Sequence, residues 1–278
     1  MSEKVKIRKV SDWWGEYDCS SNRNMPKHFQ WISRETQDPH KISVYVDNYI
    51  KDWGFRDGGS DKIGWLLESP QMNEGTIKVL TEDLEKTRSH YKMIFTCMDE
   101  LLALGEPFKY CLTNAAPWIW EENRMIHPKT KLVSMIASNK GWLRGHQHRL
   151  EWVEKLKGKV DLYGTGREFQ LKDKEDGIKD YMFSVAIEND NSDVYFTEKL
   201  TDNFVMGTVP VYYGSRKAVE KYFDPAGVIF LEDDPNLESL SEEKYRSMLP
   251  AIERNFQTAK NFQTSEDYMW ENYLKDLI

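Results

Sequence analysis

Short apolar runs alternate with amphipathic stretches along the whole chain, and this alternation predicts an α/β protein with mostly parallel sheets. A parallel strand that is covered on both faces appears as a short continuous apolar run. The predicted strands cover residues 5–10, 42–46, 63–67, 93–96, 109–112, 132–137, 160–163, 183–188, 209–213 and 228–231. The predicted helices cover residues 146–156, 197–206, 216–221, 242–262 and 265–277.

The stretch 114–131 is the best candidate for a linker, because it carries Pro117 and Pro128 and shows no clear periodicity. It divides the chain into two predicted Rossmann-like domains, residues 1–127 and residues 128–278. The last predicted helix, 265–277, can cross back to brace the first domain. We find no internal repeat and no low-complexity segment.

The overall charge limits the classes of ligand. The net charge of −8 argues against a nucleic-acid-binding protein, because neutralising phosphates dominates that affinity. An acidic protein that binds an anionic nucleotide must therefore concentrate a few cations locally. Three scattered cysteines indicate a reducing compartment. With no signal-peptide core and no apolar run of membrane-spanning length, we expect a cytoplasmic protein without a transmembrane segment.

The richest local pattern lies between residues 181 and 214, where it predicts a buried strand, a polar loop, a helix, a glycine stop and a second buried strand. Thr197 is a good N-cap for the helix, and Gly207 suits the position after its end, where a left-handed residue is favoured. The helix starts at the carboxyl end of a strand, where open α/β sheets bind ligands. Its free N–H groups favour a phosphate.

Charged and aromatic residues at this helix start suggest how a nucleotide would bind. Lys199 would add a full positive charge next to the phosphate, Glu198 could accept hydrogen bonds from ribose hydroxyls, and Tyr195 could stack on a base. The alternative is a solvated Glu-Lys pair at an ordinary helix start. The residues by themselves leave both interpretations open.

The whole run resembles the signature of family 10 glycosyltransferases, the α-1,3/1,4-fucosyltransferases. The resemblance rests on Glu188-Asn189, then Tyr195-Phe-Thr-Glu-Lys199, then Gly207-Thr-Val-Pro-Val, and it covers roughly residues 132–233. One departure is Ile187, which stands where Phe usually precedes Glu-Asn. The resemblance implies a GDP-fucose donor that is bound by a set of residues from this run: Glu188, Asn189, Tyr195, Thr197 and Glu198.

A second segment is similar to the same family. The strand predicted at 132–137 runs into the polar pair Ser138 and Asn139, and a helix with Arg149 follows. The family has a similar strand end and then a helix whose arginine contacts the donor diphosphate. Arg149 fits that position best, and Arg144 is the alternative. By itself, an arginine early in a helix is more often a solvated surface residue.

The first half offers a candidate base and candidate acceptor residues. Glu68 ends an apolar strand, and a similar strand in the family ends in a Glu that is proposed to deprotonate the acceptor hydroxyl. The alternative is a Glu that simply terminates a strand in solvent. Trp13 and Trp14 resemble a Trp-Trp-Gly loop of bacterial members and could line an acceptor site, although core packing explains Trp equally well.

The resemblance implies the GT-B architecture, with two Rossmann-like domains that face each other across a cleft. We expect a soluble, bacterial or viral type of enzyme that transfers fucose with inversion to a glycan or glycoconjugate. Glu68 would be the base, and Arg149 and Lys199 would neutralise the departing diphosphate. We expect no metal cofactor, since no Asp-x-Asp motif occurs. The alternatives are transfer of another nucleotide-activated sugar and a non-catalytic carbohydrate-binding protein of the same fold.

Overall fold

The computed structural model describes residues 4–12, 19–21, 23–167, 169–192 and 194–278. The chain forms two compact units. The first unit consists of Met1–Ala115 and Gln263–Ile278, and the second unit consists of Ala116–Phe262. Each unit is built on one sheet of parallel strands. This confirms the predicted α/β class with two mostly parallel sheets.

The first unit has a six-stranded sheet in the order β2-β1-β3-β4-β5-β6. Its strands are β1 (Val5–Val10), β2 (Phe29–Ile32), β3 (Ile42–Val46), β4 (Asp61–Trp65), β5 (Met93–Thr96) and β6 (Phe108–Tyr110). Strand β3 is buried along its whole length, as expected for a parallel strand that is covered on both faces. The sequence pattern did not predict β2, a segment of only four residues.

Three α-helices in the described part of the first unit were also missing from the prediction: α1 (Pro70–Glu82), α2 (Leu84–His90) and α3 (Asp99–Leu102). Helix α1 begins at Pro70, whose fixed φ and missing N–H suit the first helical position. Its buried positions are Asn73, Thr76 and Leu80. Because two of these three side chains are polar, the buried face leaves little hydrophobic periodicity in the sequence.

The second unit has a five-stranded sheet in the order β11-β10-β9-β7-β8. Its strands are β7 (Lys131–Ile136), β8 (Asp161–Tyr163), β9 (Tyr181–Ile187), β10 (Val209–Tyr213) and β11 (Ile229–Phe230). Its helices are α4 (Arg144–Lys155), α5 (Glu198–Val205), α6 (Arg216–Tyr222) and α7 (Glu242–Ala259). The chain runs from β7 to β8 on one side and then to β9 on the other. The strand order therefore reverses beside β7, and open α/β sheets bind ligands at such a point.

The stretch 116–130 packs against α5, so it belongs to the second unit. Trp118 donates its backbone N–H to Asp202 Oδ1 at 2.6 Å. The ammonium of Lys129 is buried and donates to the Met206 carbonyl at 2.7 Å, and burial lowers the pKa of this lysine to about 7. Because of these contacts, the two units divide nearer the N-terminus than the predicted boundary at residues 127 and 128.

Gly207 ends α5 in the left-handed conformation that the sequence predicted, with a φ of 69°. Glycine is required here for a second reason. A Cβ atom at this position would lie 2.7 Å from Cγ2 of Ile126, so the turn and the stretch 116–130 approach each other closely.

The C-terminal helix α8 (Ser265–Asn272) and the turn Leu274–Leu277 that follows it belong to the first unit. Met269 and Leu274 are fully buried in a core cluster with side chains of β1 to β5. The first turn of α8 carries Glu266, which has no exposed surface and accepts hydrogen bonds from Ser20 N at 2.7 Å and Ser20 Oγ at 2.9 Å. Among the described residues, no helix combines the length and hydropathy that a membrane crossing needs.

We expect Met269→Ala to lower the free energy of unfolding by about 2–5 kcal/mol, because it removes a fully buried side chain from the core of the first unit. Urea unfolding followed by circular dichroism measures this loss. The matched control on the same helix is Asn272→Ala, at an exposed position, which should change stability by less than about 0.5 kcal/mol. Equal stabilities of the two variants would show that α8 does not contribute to this core.

Candidate active site

Polar and charged side chains of the second unit converge at the carboxyl ends of β7 and β9, beside the point where the strand order reverses. A cavity of about 160 Å³ opens here. Its lining combines apolar side chains of the two strands with charged groups from the flanking helices and turns: Ile136, Ser138, Arg149, Lys174, Ile178, Ser184, Val185, Ala186, Ile187, Glu198, Lys199 and Asn203. Small-molecule sites commonly have this composition, with apolar walls and a few convergent polar groups.

Glu188 directly follows β9, has no exposed surface and anchors the start of α5. Its carboxylate accepts hydrogen bonds from Thr197 N at 2.8 Å and from Thr197 Oγ1 at 2.8 Å. Thr197 also caps α5 as predicted, because its Oγ1 accepts the Lys199 N–H at 3.4 Å. Glu188 does not line the cavity, so the structure places it behind the ligand-facing residues rather than among them.

Lys199 extends from the first turn of α5 into the cavity wall. Its ammonium donates to Thr197 Oγ1 at 2.9 Å and to Glu188 Oε2 at 3.3 Å, and lies 3.7 Å from Glu198 Oε1. The side chain keeps 26% of its surface exposed. The structure therefore holds the ammonium in one place and still leaves it accessible to a ligand.

Arg149 is buried in the cavity wall and forms no salt bridge within the described part of the chain. Its Nη1 donates to Asn189 Oδ1 at 3.1 Å, and its Nη2 lies 3.5 Å from Ser138 Oγ. Burial lowers the pKa of this guanidinium, and the nearby charge of Glu188 opposes the change. A buried cation without a direct carboxylate partner is costly for stability and well suited to an anionic ligand.

Gly145 explains how Arg149 and Asn189 come together. A Cβ atom on Gly145 would lie 2.1 Å from the Asn189 carbonyl oxygen, so only glycine lets the first turn of α4 dock against the end of β9. Sequence reasoning did not identify this contact. The glycine stands in the first turn of a helix, where its role depends on a segment far along the chain.

Lys174 is a site residue that the sequence analysis missed. It lies in the 3-10 turn Lys174–Gly177, lines the cavity, and places its ammonium 2.5 Å from Asp202 Oδ2 and 3.4 Å from Glu198 Oε1. Burial raises the pKa of Asp202 to about 6, and the charge of Lys174 opposes that rise. The sequence did contain one indication of such a lysine. Glu198 and Asp202 have i, i+4 spacing on the buried face of α5, and two neighbouring buried carboxylates need a cation as a charge partner.

Glu198 is buried between two ammonium groups at the edge of the cavity. Burial disfavours its charged form, but the charges of Lys199 and Lys174 outweigh burial and hold the pKa of this carboxyl below its usual value. Glu198 is therefore ionised at neutral pH and can accept hydrogen bonds from hydroxyl groups of a ligand.

His146 is a neutral polar group near the cations of the site. It lies in the first turn of α4 and is buried. Burial lowers its pKa to about 4, and the charges of Arg149, Lys140 and Lys199 act in the same direction. The imidazole is therefore neutral at physiological pH.

The remaining predicted donor residues take different positions. Ser138 lines the cavity, whereas Asn139 is exposed and lies outside the lining. Tyr195 is only 3% exposed and does not line the cavity, so the structure does not present its ring for stacking on a base. Arg144, the alternative to Arg149, is exposed at the start of α4 and also lies outside the lining.

In the first unit, Glu68 follows β4 and is partly buried, and its backbone N–H donates to Asp47 Oδ1 at 3.1 Å. Trp13 and Trp14 lie outside the described residues. No group of three or more His, Cys, Asp or Glu side chains suited to a metal ion occurs in residues 4–12, 19–21, 23–167, 169–192 and 194–278.

Comparisons with known proteins identify the family of the chain. The family model "Glycosyltransferase family 10 (fucosyltransferase) C-term" matches residues 126–272, which is more than half of the chain. An Arabidopsis thaliana fucosyltransferase-like protein is 36% identical over 111 residues, covering 38% of this chain and 21% of the relative. Human 4-galactosyl-N-acetylglucosaminide 3-alpha-L-fucosyltransferase 9 is 27% identical over 179 residues, covering 60% and 46%. The chain thus spans less than half of the length of these curated relatives.

Solved structures show the same fold. A crystal structure of an α1,3-fucosyltransferase matches with a TM-score of 0.58 and 16% identity, covering 95% of this chain and 92% of that one. An α1,3-fucosyltransferase with GDP-fucose matches with a TM-score of 0.51 and 14% identity, covering 94% and 82%. These likenesses support the predicted GT-B class of α/β fold with two parallel sheets. On the match of the family model, the chain belongs to glycosyltransferase family 10, the fucosyltransferase family.

Proposed function

We propose that the chain transfers L-fucose from GDP-fucose to a hydroxyl group of a glycan or glycoconjugate acceptor, with inversion at the anomeric carbon. The observation that carries the donor part is the buried Arg149, which has no salt bridge in the described residues and shares a cavity with Lys199. Family membership and the solved α1,3-fucosyltransferase with GDP-fucose support the choice of nucleotide and sugar.

Several residues in and beside the cavity have separate roles in binding the donor. The diphosphate lies between the guanidinium of Arg149 and the ammonium of Lys199, at the positive end of the α5 dipole. The ionised carboxylate of Glu198 accepts hydrogen bonds from the ribose hydroxyls. Asn189 contacts the sugar and orients Arg149, to which it is bonded at 3.1 Å. Glu188 acts indirectly, by fixing Thr197 and Lys199.

Transfer is a single displacement in which the acceptor oxygen attacks the anomeric carbon as the bond from that carbon to the diphosphate oxygen breaks. Glu68 takes the proton of the acceptor hydroxyl, and GDP leaves with the bonding electron pair. Negative charge grows on the diphosphate in the transition state, so Arg149 and Lys199 stabilise the transition state more than the bound donor.

We propose that these cations replace a divalent metal in neutralising the leaving group. Cytoplasmic location stays a prediction. The two alternatives also stay open to test: a donor with another nucleotide or sugar, and a carbohydrate-binding protein that has the fold without the reaction.

A nucleotide panel in the presence of EDTA tests the proposed function. We expect GDP to raise the melting temperature, and UDP, dTDP and CMP to leave it unchanged; a ligand at 100 times its Kd stabilises a protein by about 2.7 kcal/mol. A shift with UDP alone would favour another donor, and no shift with any nucleotide would favour the non-catalytic alternative. A GDP shift that needs Mn²⁺ would contradict the metal-independent scheme.

We expect Arg149→Met to lower fucose transfer by about 100- to 1,000-fold, because it removes charge stabilisation of the leaving diphosphate. The free energy of unfolding should stay unchanged or rise, since a buried cation without a salt bridge is replaced by an apolar side chain. Initial rates, GDP titration calorimetry and urea unfolding measure these effects. The matched control is Arg246→Met, on the exposed face of α7, which should keep normal transfer. Normal transfer by Arg149→Met would refute the donor assignment.

We expect Glu68→Gln to lower kcat by about 100- to 10,000-fold, because the amide cannot accept the acceptor proton. GDP affinity should stay unchanged, since every residue assigned to the donor belongs to the second unit. The same-unit control is Glu85→Gln, at an exposed position of α2, which should keep the normal kcat. A normal kcat for Glu68→Gln would exclude Glu68 as the base.

A further inference from the structure

The backbone of Glu68 is held by side chains instead of by the strand ladder. Strand β4 ends at Trp65, and the N–H of Leu66 still donates to the Phe95 carbonyl at 2.9 Å. The next two N–H groups of the chain both donate to a single side-chain oxygen atom. Leu67 N donates to Asp47 Oδ1 at 2.8 Å, and Glu68 N donates to the same oxygen at 3.1 Å.

Asn73 completes the arrangement from the first turns of α1. Its Nδ2 donates to Asp47 Oδ1 at 2.9 Å and to the Glu68 carbonyl at 3.1 Å. Both peptide groups that flank the Glu68 Cα are thus bonded to side chains, the N–H to Asp47 and the carbonyl to Asn73. Asp47 and Asn73 are themselves almost fully buried, so water does not compete for these bonds.

This arrangement lowers the stability of the fold, and a segment that only ended a strand would not need it. Asp47 has a φ of 51°, in the left-handed region that non-glycine residues rarely adopt. In addition, Asp47 Oδ2, Asn73 Oδ1 and Ser69 Oγ are buried and form no hydrogen bond with the described residues. Each such group lowers the stability of the fold, because it has lost its hydrogen bonds to water. Strain and unsatisfied polar groups of this kind concentrate at sites where geometry serves function.

We infer that Asp47 and Asn73 are positioning residues, which hold the main chain of Glu68 in one place so that its carboxylate meets the acceptor hydroxyl. This inference rests on the proposed role of Glu68 as the base. Its physical reason is that a displacement of about 1 Å in a reacting group can cost about 100-fold in rate.

The arrangement works whether Asp47 is charged or neutral. All three donors converge on Oδ1, so a proton on Asp47 would sit on the other oxygen, Oδ2, without breaking a bond. Burial raises the pKa of this carboxyl to about 7, so both forms occur near neutral pH. An asparagine at position 47 keeps an acceptor oxygen in place, tolerates the left-handed conformation, and should therefore preserve the positioning.

The test compares variants that remove the positioning with one that retains it. Asp47→Gly removes the carboxylate without backbone strain, since glycine adopts a φ of 51° freely. Asn73→Ala removes the link to the Glu68 carbonyl. We expect each variant to lower kcat by about 10- to 100-fold per folded molecule, with the donor KM and the GDP affinity unchanged. Asp47→Asn should restore most of the kcat that Asp47→Gly loses.

The control is Thr87→Val on α2, where a buried hydroxyl donates to the Leu80 carbonyl at 2.9 Å and has no bond to Glu68. It should lose stability while keeping the normal kcat. A kcat within twofold of normal in Asp47→Gly and Asn73→Ala would overturn the inference. The inference would also be wrong if the kcat of Asp47→Asn were as low as that of Asp47→Gly. It would likewise be wrong if the kcat of Thr87→Val fell as far as that of Asp47→Gly.

Glu68→Gln separates this inference from the function on which it rests. If Glu68→Gln is slow and the positioning variants are normal, the base assignment stands and only the positioning role is wrong. If Glu68→Gln keeps the normal kcat, the base assignment itself is wrong, and a slow Asp47→Gly then reflects some other effect on the first unit.

Discussion

The candidate active site depends on one buried carboxylate, that of Glu188. Without exposed surface, this charge needs several hydrogen bonds and a cation, and it takes them from Thr197 and Lys199. The bonds fix where α5 begins and where the ammonium of Lys199 lies. Removing one partner of a buried pair leaves an uncompensated charge and is strongly destabilising. This interaction therefore determines where the ligand-facing residues of α5 lie.

Charge in the second unit is distributed so that carboxylates hold some cations and leave another available. Glu188 and Glu198 hold Lys199, and Asp202 and Glu198 hold Lys174. Arg149 is bonded to neutral groups instead, and burial lowers its pKa. An anionic ligand would supply the charge partner that Arg149 lacks within the described residues. In an acidic chain, the cavity lining itself carries Arg149, Lys174 and Lys199 against the single carboxylate of Glu198.

Both units use the same physical means to place a functional side chain. In the second unit, a side-chain carboxylate bonds the backbone and hydroxyl of Thr197 next to Lys199. In the first unit, the Asp47 carboxylate bonds the backbone of Glu68. In each case a carboxylate that directly follows one strand fixes the backbone of a segment farther along the chain. A buried carboxylate accepts bonds from several N–H and O–H donors at once, which an apolar residue cannot do.

The sequence by itself determined the features that depend on near neighbours in the chain. Apart from β2, the described parallel strands of both units were predicted, and so were the cap at Thr197, the turn at Gly207 and the cationic start of α5. Helix α1 was not predicted, because its buried face is largely polar. Asn73 and Thr76 on that face donate hydrogen bonds to Asp47, which lies on another segment.

Only the tertiary structure decided which distant residues share the site. Arg149 meets Asn189 because Gly145 lets two segments touch, and Lys174 joins α5 from a turn that carries no motif. Tyr195 is buried although its type suits base stacking, and Glu188 anchors α5 although its motif suggested donor contact. Local pattern encodes the conformation of a segment, whereas burial and pairing depend on what packs against it.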